Sequence, residues 1–333
     1  MANKNIKEVE GGAVTSLNDS DALEIDTGSA SYYILWQDVK LLMATAMRGS
    51  FDYKIVPSVS SNNLSVDIQH FDGTAVSSTY PLKFRVGGSN YTLTTSPSFT
   101  KNAGTNWANA GASETAAQAI DWFMYAIGET GASAGLKFGY SRIPYAQTMN
   151  DFSSTTTNEK YILGNYTNFN TTDAVVNIGR FRATLGASAS YNWSIATSVV
   201  LNYPVYETDV LSYTPTWSAS GVAPAIGNGT LTGTYQVTGR NLICDITHIM
   251  GSTTTFGTAA YSWSIPFTPA TNLPMACYAL DSGTAHFTGT AFGSGASALI
   301  AVATSGNTST WGQTLPMTWA NGDTAYIRSH RRF

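Results

Sequence analysis

Residues 229–249 read GTLTGTYQVTGRNLICDITHI, and this stretch decides the fold of the C-terminal part of the chain. Apolar and polar residues alternate on both sides of a central TGRN turn. Because successive side chains of a strand point to opposite faces, a period of two places the apolar residues of each arm on one face. The stretch therefore predicts a β-hairpin with one apolar face, formed by Leu231, Tyr235, Val237, Leu242, Cys244 and Ile246.

The same pattern extends through the region around this hairpin. YSWSIPF (261–267) alternates in the same way, and LPMTWANGDTAYIR (315–328) predicts a second hairpin around Asn321-Gly322. Short strands at regular spacing with frequent turns are typical of an antiparallel β-sandwich. We therefore predict a C-terminal β-sandwich domain over 210–333.

The preceding region, 51–209, also contains strand-like runs, including LSVDIQHF, LKFRVGG, NYTLTT and VVNIGRFRATL. One helix, over about 113–128, is predicted between them, because Ser113 can cap it and Gly128 can end it. Its apolar stripe would consist of Ala116, Ala119, Ile120, Phe123, Met124 and Ile127. This region is therefore predicted to be a β-rich domain with one helical insert.

Residues 1–50 form a third segment with a polar start. Apolar residues at helical spacing predict a helix over 35–47, which Arg48-Gly49 ends. So short a segment cannot bury a core of its own, and we expect it to dock on a partner or on its own copies. The residues expected to make this attachment are Leu35, Trp36, Val39, Leu42 and Met43. The predicted fold class is thus mainly β, with antiparallel β-sandwich domains, a helical insert and a short N-terminal helical attachment segment.

The composition of the 333-residue chain excludes several classes of function. Only 11% of the residues are charged, against roughly 25% in an average soluble domain. A net charge of −4 provides no basic field for nucleic acid, apart from the local RSHRRF at the C-terminus. We also expect no membrane insertion, since Gln37, Asp38 and Lys40 interrupt the most apolar stretch. No signal-peptide pattern opens the sequence.

Metal and disulfide chemistry are not indicated either. Cys244 and Cys277 both lie in alternating apolar runs, which favours buried free thiols. The four histidines are far apart and show no HxH or HExxH spacing, so no metal site is predicted. We predict no cofactor, because the sequence contains no GxGxxG motif or P-loop.

Two stretches resemble the catalytic turns of pepsin-like aspartic proteases: EIDTGS around Asp26 and LDSGTA around Asp281. That chemistry needs two carboxylates that share one proton across a cleft. The strand pair that cradles each turn in that family is missing here, and DTGS is predicted to lead into a helix. Carboxylates close in sequence, such as Glu207 with Asp209, could serve a glycosidase, but nothing in the sequence builds a cleft around them. We therefore predict ordinary turns, no catalytic residues and no enzyme.

Three stretches resemble structural proteins of tailed bacteriophages. The first two are FGYSRIPYAQTMNDFSSTTTNEKYI (138–162) and VVNIGRFRATLGASASYNWSI (175–195). The third runs from SYTPTWSASG through IGNGTLTG to GSTTTFGTAAYSWSIPF (212–267), and it resembles a β-module at the ends of tail fibres and minor tail proteins.

This resemblance implies a virion protein that is assembled in the host cytoplasm and released by lysis. It further implies a homotrimer whose N-terminal segment attaches to other virion proteins, in the tail or the portal and collar region, and whose C-terminal domain contacts the host surface. A head fibre or capsid decoration protein remains an alternative, and a hydrolase of host surface polymer is another.

A protein that binds host glycan would present exposed aromatic residues with polar neighbours. Trp311, Trp319 and Tyr326 are the aromatic candidates, with the alternative that they belong to the core or to a trimer interface. A second hypothesis assigns phosphate binding to the basic C-terminus, because guanidinium groups match phosphate oxygens. Its residues are Arg328, Arg331 and Arg332.

Overall fold

A computed structural model of the chain shows a mainly β protein. It describes residues 22–26, 31–35, 52–60, 63–102, 118–131, 134–155, 160–185, 193–266, 271–293, 299–304 and 309–332. A 3₁₀ turn spans Met149–Asp151. The strands are β1 (Ala22–Asp26), β2 (Ser31–Leu35), β3 (Tyr53–Ser60), β4 (Asn63–His70), β5 (Leu82–Val86), β6 (Ser89–Leu93), β7 (Ser98–Asn102), β8 (Gln118–Glu129), β9 (Gly135–Ser141), β10 (Leu163–Gly164), β11 (Ala174–Leu185), β12 (Trp193–Leu201), β13 (Leu211–Tyr213), β14 (Trp217–Ala219), β15 (Thr230–Thr238), β16 (Asn241–Ile249), β17 (Tyr261–Ser264), β18 (Thr271–Leu273), β19 (Met275–Asp281), β20 (Ala285–Gly293), β21 (Leu299–Thr304) and β22 (Thr324–Arg332).

The predicted mainly β, antiparallel fold class is confirmed. A large sheet has the strand order β13-β15-β16-β22-β19-β20-β21-β17-β14, and β18 also pairs with β22. A five-stranded sheet has the order β10-β9-β8-β11-β12. Three smaller sheets are formed by β3-β4-β7, β5-β6 and β1-β2. The named ladders between these strands are antiparallel.

The hairpin predicted over 229–249 is β15 and β16. Val237 pairs with Leu242, Tyr235 with Cys244, and Leu231 with His248, so the apolar residues of both arms share one face. Tyr235, Val237, Leu242, Cys244 and Ile246 are all buried. Cys244 and Cys277 are buried free thiols, as the sequence predicts.

The large sheet curls around its own apolar face. The Tyr213 hydroxyl, on β13 at one end, bonds to the Cys244 thiol at 2.8 Å and donates to the Ser264 carbonyl oxygen, on β17 near the other end, at 3.2 Å. Inner-face residues from all around the sheet form one buried cluster, which includes Trp263, Val302 and Ile327. The sheet is therefore a half-barrel that supplies both walls of its own core.

The predicted helix over 113–128 is wrong where the structure describes it, because β8 occupies 118–129. Ile120, Trp122, Met124 and Ala126 are buried in one cluster, whereas Phe123, Tyr125 and Ile127 are buried in another on the opposite face. A strand that is buried on both faces shows no alternation of apolar and polar residues. Its continuous apolar run also has apolar residues at the i, i+3 and i+4 positions, so it resembles one face of a helix. Residues 113–117 lie outside the described residues.

The predicted N-terminal helix over 35–47 does not begin at Leu35, because this residue ends β2, which pairs with β1. The DTGS motif therefore leads into a strand and not directly into a helix, since β2 begins at Ser31. Of the predicted attachment residues, Trp36, Val39, Leu42 and Met43 lie outside the described residues.

The second predicted hairpin, around Asn321-Gly322, is also wrong. A turn does occur there, and Gly322 has φ +89°, but residues 315–320 form no strand. β22 instead pairs with β16 along its full length and with β19 and β18 on its other side. The turn is therefore followed by β22, which lies in the middle of the large sheet. The basic residues of RSHRR (328–332) belong to this central strand.

The β5-β6 hairpin packs on the same core as the five-stranded sheet. Leu82, Phe84 and Val86 of β5 are buried in the cluster that contains Trp122 and Ile178. The hairpin turn uses Gly87 and Gly88 with φ +58° and +86°, the conformation that a two-residue hairpin turn requires at both central positions.

An ionic network joins the five-stranded sheet to the segment that leads into β13. Fully buried Asp121 accepts hydrogen bonds from Arg182 Nε at 2.7 Å and from the backbone N–H of Asp209 at 3.0 Å, and Arg180 Nη1 lies 3.1 Å from it. Asp209 in turn accepts from both arginines. All four residues lie within the region predicted as 51–209, with Asp209 at its last position, and the boundary at 209/210 stays a prediction.

We predict that Asp121→Ala destabilises the protein by about 3–5 kcal/mol, because it leaves the buried Arg180 charge and the partly buried Arg182 charge without their central partner. Urea denaturation followed by tryptophan fluorescence measures this change. The matched control is Asp209→Ala, which removes a half-exposed carboxylate and should cost about 1 kcal/mol or less. Equal losses of unfolding free energy in the two variants would contradict the assignment of Asp121 as the centre of the ionic network.

His248 predicts a dependence of stability on pH. Burial lowers the pKa of this imidazole from 6.5 to about 4, and its Nδ1 faces Trp263 Nε1 at 3.4 Å. Because the pKa of His248 is lower in the folded state than in the unfolded state, protonation favours unfolding. The protein therefore keeps its full free energy of unfolding above pH 6.5 and loses part of it as the pH falls toward 4. The loss should reach on the order of 3 kcal/mol below pH 4.

Denaturation midpoints between pH 7 and pH 4 check this loss. His248→Gln should remove that part of the pH dependence, whereas His286→Gln should leave it unchanged because His286 is exposed. An unchanged pH profile in His248→Gln would refute the assignment.

Candidate functional site

The outer face of the large sheet carries a row of polar and aromatic side chains. The ladders place directly opposed residues side by side across β15, β16, β22, β19 and β20. Their inward-facing neighbours fill the core, so the row faces away from it. The row consists of Thr232, Thr247, Tyr326, Tyr278 and Thr288.

Tyr326 and Tyr278 form a stacked pair at the centre of the row. Their ring centroids are 4.6 Å apart and the rings are inclined by only 20°. The spacing follows from the register, since directly opposed side chains on neighbouring strands lie about 5 Å apart. Tyr278 is 42% exposed, and His286 of β20 lies 6.4 Å away. An aromatic surface therefore stands in solvent on a rigid sheet.

A guanidinium and a carboxylate lie beside the tyrosine pair. Arg328 of β22 is directly opposite Asp245 of β16, with 3.4 Å between Arg328 Nε and Asp245 Oδ1. Both side chains are more than half exposed, so water screens this ion pair and it contributes little to stability. Donors of Arg328 and an oxygen of Asp245 thus remain available to a ligand.

A notch of about 260 Å³ lies between these groups. The notch arises where the strand that pairs with β22 changes. β19 pairs with the first part of β22, and the last pair is Tyr278 with Tyr326. β18 pairs with the final part of β22, beginning with Leu273 opposite His330. In this gap the Arg328 carbonyl oxygen faces the Cys277 thiol at 3.6 Å. Ala276 occupies the outer face of the gap, and its small side chain leaves the space open.

The structure brings together two of the predicted ligand-binding residues, Tyr326 and Arg328, because both belong to the outer face of β22. Arg332 is exposed at the end of the same strand, opposite Asn241. The backbone of Arg331 pairs with Leu242 and Asn272. Ligand binding by these four residues stays a prediction.

Trp311 and Trp319 do not join this face. They are 0% and 3% exposed, with ring centroids 5.9 Å apart, inside the core of the large sheet. The indole N–H of Trp319 donates to the carbonyl oxygens of Gly312 and Leu315 at 2.9 and 3.1 Å. The alternative that both are core residues is thus what the structure shows, and neither is accessible to a ligand.

Sequence reasoning missed Tyr278 and Ala276. The signal was present in MACYALD, where buried Cys277 and Ala279 alternate with outward-facing Ala276 and Tyr278. What the alternation alone could not show is that Tyr278 lies opposite Tyr326, since that register joins strands far apart in the chain.

The sites considered for catalysis have structural roles where they are described. Asp281 ends β19, and its carbonyl oxygen accepts from Thr284 N–H in the turn before β20, so LDSGTA is a hairpin turn. Burial would raise the pKa of Asp209, but hydrogen bonds and charges from Arg182 and Arg180 outweigh this and hold its pKa below the usual value. Such a carboxylate is unsuited to act as a general acid. The described residues contain no group of three potential metal ligands.

No protein-family model matches the chain, and no curated protein matches it at a significant level. The case for a function therefore rests on the chain's own residues. Among the described segments, no helix has the length and apolar character that crossing a membrane requires.

The two sets of aromatic residues should respond differently to truncation. Trp311→Ala should destabilise the protein by about 3–5 kcal/mol, because it opens a cavity in the core. Tyr278→Ala should cost about 1 kcal/mol or less, since it removes one exposed cross-strand pair. Thermal denaturation of both variants measures the difference, and comparable losses would contradict the separation into core and surface aromatics.

Proposed function

We propose that this protein is a non-enzymatic bacteriophage virion protein, a tail fibre or receptor-binding protein, whose C-terminal sheet binds a glycan of the host surface. The virion location, the homotrimer and the N-terminal attachment come from the resemblance of 138–162, 175–195 and 212–267 to phage structural proteins. The observation that carries the binding function is the stacked, exposed pair of Tyr278 and Tyr326 beside Arg328 and Asp245.

The chemistry of this face suits a sugar. A pyranose has an apolar C–H face, which packs against an aromatic ring, and a rim of hydroxyl groups, which need both donors and acceptors. Tyr278 supplies exposed ring surface, Arg328 supplies donors and Asp245 supplies acceptors. Thr247 adds a hydroxyl group at the edge of the notch.

The dimensions of the site favour a polymer over a small free ligand. A notch of about 260 Å³ is smaller than the roughly 300–1,000 Å³ of typical small-molecule pockets. It has room for one sugar unit, while the rest of a chain can lie along the threonines of the flat outer face. Thr232 and Thr288 continue the row on either side.

Binding of the purified protein to host envelope polysaccharide tests this proposal. Tyr278→Ala and Tyr326→Ala should each weaken binding about tenfold or more, because each removes an aromatic contact. Ala276→Leu should block the notch without removing any binding group. The matched control is Tyr203→Ala, which truncates an exposed tyrosine outside this sheet.

All these variants should retain the melting temperature of the parent protein within a few degrees, because Tyr278, Ala276 and Tyr203 are exposed and Tyr326 is only partly buried. Unchanged binding in Tyr278→Ala and Ala276→Leu would remove the proposed site. Release of reducing sugar from the polysaccharide would overturn the non-enzymatic assignment.

Location on the particle tests the other half of the proposal. Immunogold electron microscopy with an antibody raised against residues 210–333 should label the distal end of the tail. Label over the head would contradict a tail fibre and support a head fibre or capsid decoration protein. Absence of label from intact, purified particles, with the protein missing from their denaturing gels, would contradict a virion protein altogether.

A further inference from the structure

A second cavity lies in the other half of the molecule, beside the β5-β6 hairpin. Its volume is about 600 Å³, which is within the range of ligand pockets and more than twice that of the notch. Part of its wall is apolar and belongs to Phe84, Val176, Ile178 and Pro204. The hairpin provides the polar side chains that line the remainder, Lys83, Arg85, Asn90 and Thr92.

The hairpin register gathers these four polar side chains. Lys83 is directly opposite Thr92, and Arg85 is directly opposite Asn90. Buried Phe84 lies between the two cations on the other face of β5, so Lys83 and Arg85 share the outward face, about 7 Å apart along the strand. The cations are therefore held side by side by the same alternation that anchors β5 in the core.

The charge at this cavity is not neutralised by the described part of the chain. Neither Lys83 nor Arg85 forms an ion pair with a described residue, and none of the described residues that line the cavity is acidic. The side chains of Asn90 and Thr92 likewise make no hydrogen bond to the described residues. Four exposed polar groups thus retain their binding capacity, and two of them are positive.

The opposite wall is rigid and its polar groups are already satisfied. Asn177 donates to the carbonyl oxygens of Pro144 and Val205 and accepts from Gly179 N–H at 3.0 Å. The Tyr53 hydroxyl donates to the Ile178 carbonyl oxygen. This wall offers shape and apolar surface, so selectivity for a ligand must come from the hairpin.

The hairpin is seated firmly enough to hold such a site. Tyr91 of β6 packs against the core, and a Cβ atom at Gly128 of β8 would lie 2.7 Å from its hydroxyl oxygen. The ring of Tyr91 can approach β8 this closely only because residue 128 is glycine. The Phe84 ring also lies 5.2 Å from the Tyr53 ring. Both strands that carry the polar residues are thus fixed to the main sheet.

We propose that this cavity is a second binding site, which takes an anionic, hydroxylated ligand of about disaccharide size. Lys83 and Arg85 bind its carboxylate or phosphate group. Asn90 and Thr92 bind its hydroxyl groups, and its apolar faces pack against Val176 and Pro204. The site is separate from the notch on the large sheet and does not depend on the proposed host-glycan function.

Isothermal titration calorimetry of the full chain tests this proposal with three named probes. Digalacturonic acid carries carboxylates, trehalose 6-phosphate carries a phosphate, and trehalose is the neutral control. At least one anionic probe should bind, trehalose should bind at least tenfold more weakly, and the anionic affinity should fall as salt is raised. The preferred anionic probe identifies the group that the cations bind.

Variants locate the binding on the molecule. Lys83→Gln and Arg85→Gln should each lower the affinity for the anionic probe by about tenfold, because each removes one charge-assisted hydrogen bond. Thr92→Trp should obstruct the cavity from an exposed position. The matched control is Arg328→Gln, which removes an exposed cation at the notch and should leave the affinity unchanged.

The proposal is overturned if neither anionic probe binds at millimolar concentration, or if trehalose binds equally well. It is also overturned if Lys83→Gln and Arg85→Gln bind as the parent protein does while Arg328→Gln is impaired, since the anion would then occupy the notch. Both glutamine substitutions are at exposed positions and should keep the parent melting temperature, so a loss of binding would not reflect unfolding.

Discussion

The large sheet has one apolar face that must be removed from water, and the curl of the sheet on itself meets this requirement. Tyr213 closes the curl by reaching from β13 to the Ser264 carbonyl oxygen on β17. The buried cluster then combines residues such as Trp263, Trp311 and Ile327 from around the whole sheet. Because these residues cover one another, the opposite face of β22 and β19 can carry polar and aromatic side chains. The tyrosine pair and the notch depend on this division of faces.

The five-stranded sheet meets the same requirement in a different way. β8 is covered on both faces, by the β5-β6 hairpin and the three-stranded sheet on one side and by residues such as Ile143 and Phe152 on the other. Covering layers have outer faces of their own, and the polar face of β5 and β6 is one of them. Lys83 and Arg85 are exposed there because Phe84 between them is buried. Both proposed binding surfaces therefore include the polar face of a strand that is anchored by its apolar side.

Charged groups lie where the five-stranded sheet meets the start of the large sheet. Asp121, Arg180 and Arg182 bind the segment around Asp209, and Arg240 of the β15-β16 turn pairs with Asp151 and lies over the Tyr145 ring. Paired charges at such a junction specify one relative arrangement, since a misplaced partner leaves a buried charge unsatisfied. The proposed sites are thus carried on a scaffold whose two parts have a defined relation.

Local alternation determined much of this protein from the sequence alone. It predicted the β15-β16 hairpin, the mainly β antiparallel class, the buried cysteines and the strand that contains Tyr326 and Arg328. The prediction succeeded because a strand with one buried face has an apolar residue at every second position.

Tertiary structure decided what alternation does not record. The sequence pattern predicts a helix at β8, because burial on both faces removes the period of two. Trp311 and Trp319 are core residues in a segment that has no regular period, so the pattern does not mark them as buried. The stacking of Tyr278 on Tyr326, the notch beside Ala276 and the cavity beside Lys83 depend on which distant strands become neighbours. The physical reason is that a side chain's face is set by its own strand, whereas its partners are set by pairing between segments remote in the chain.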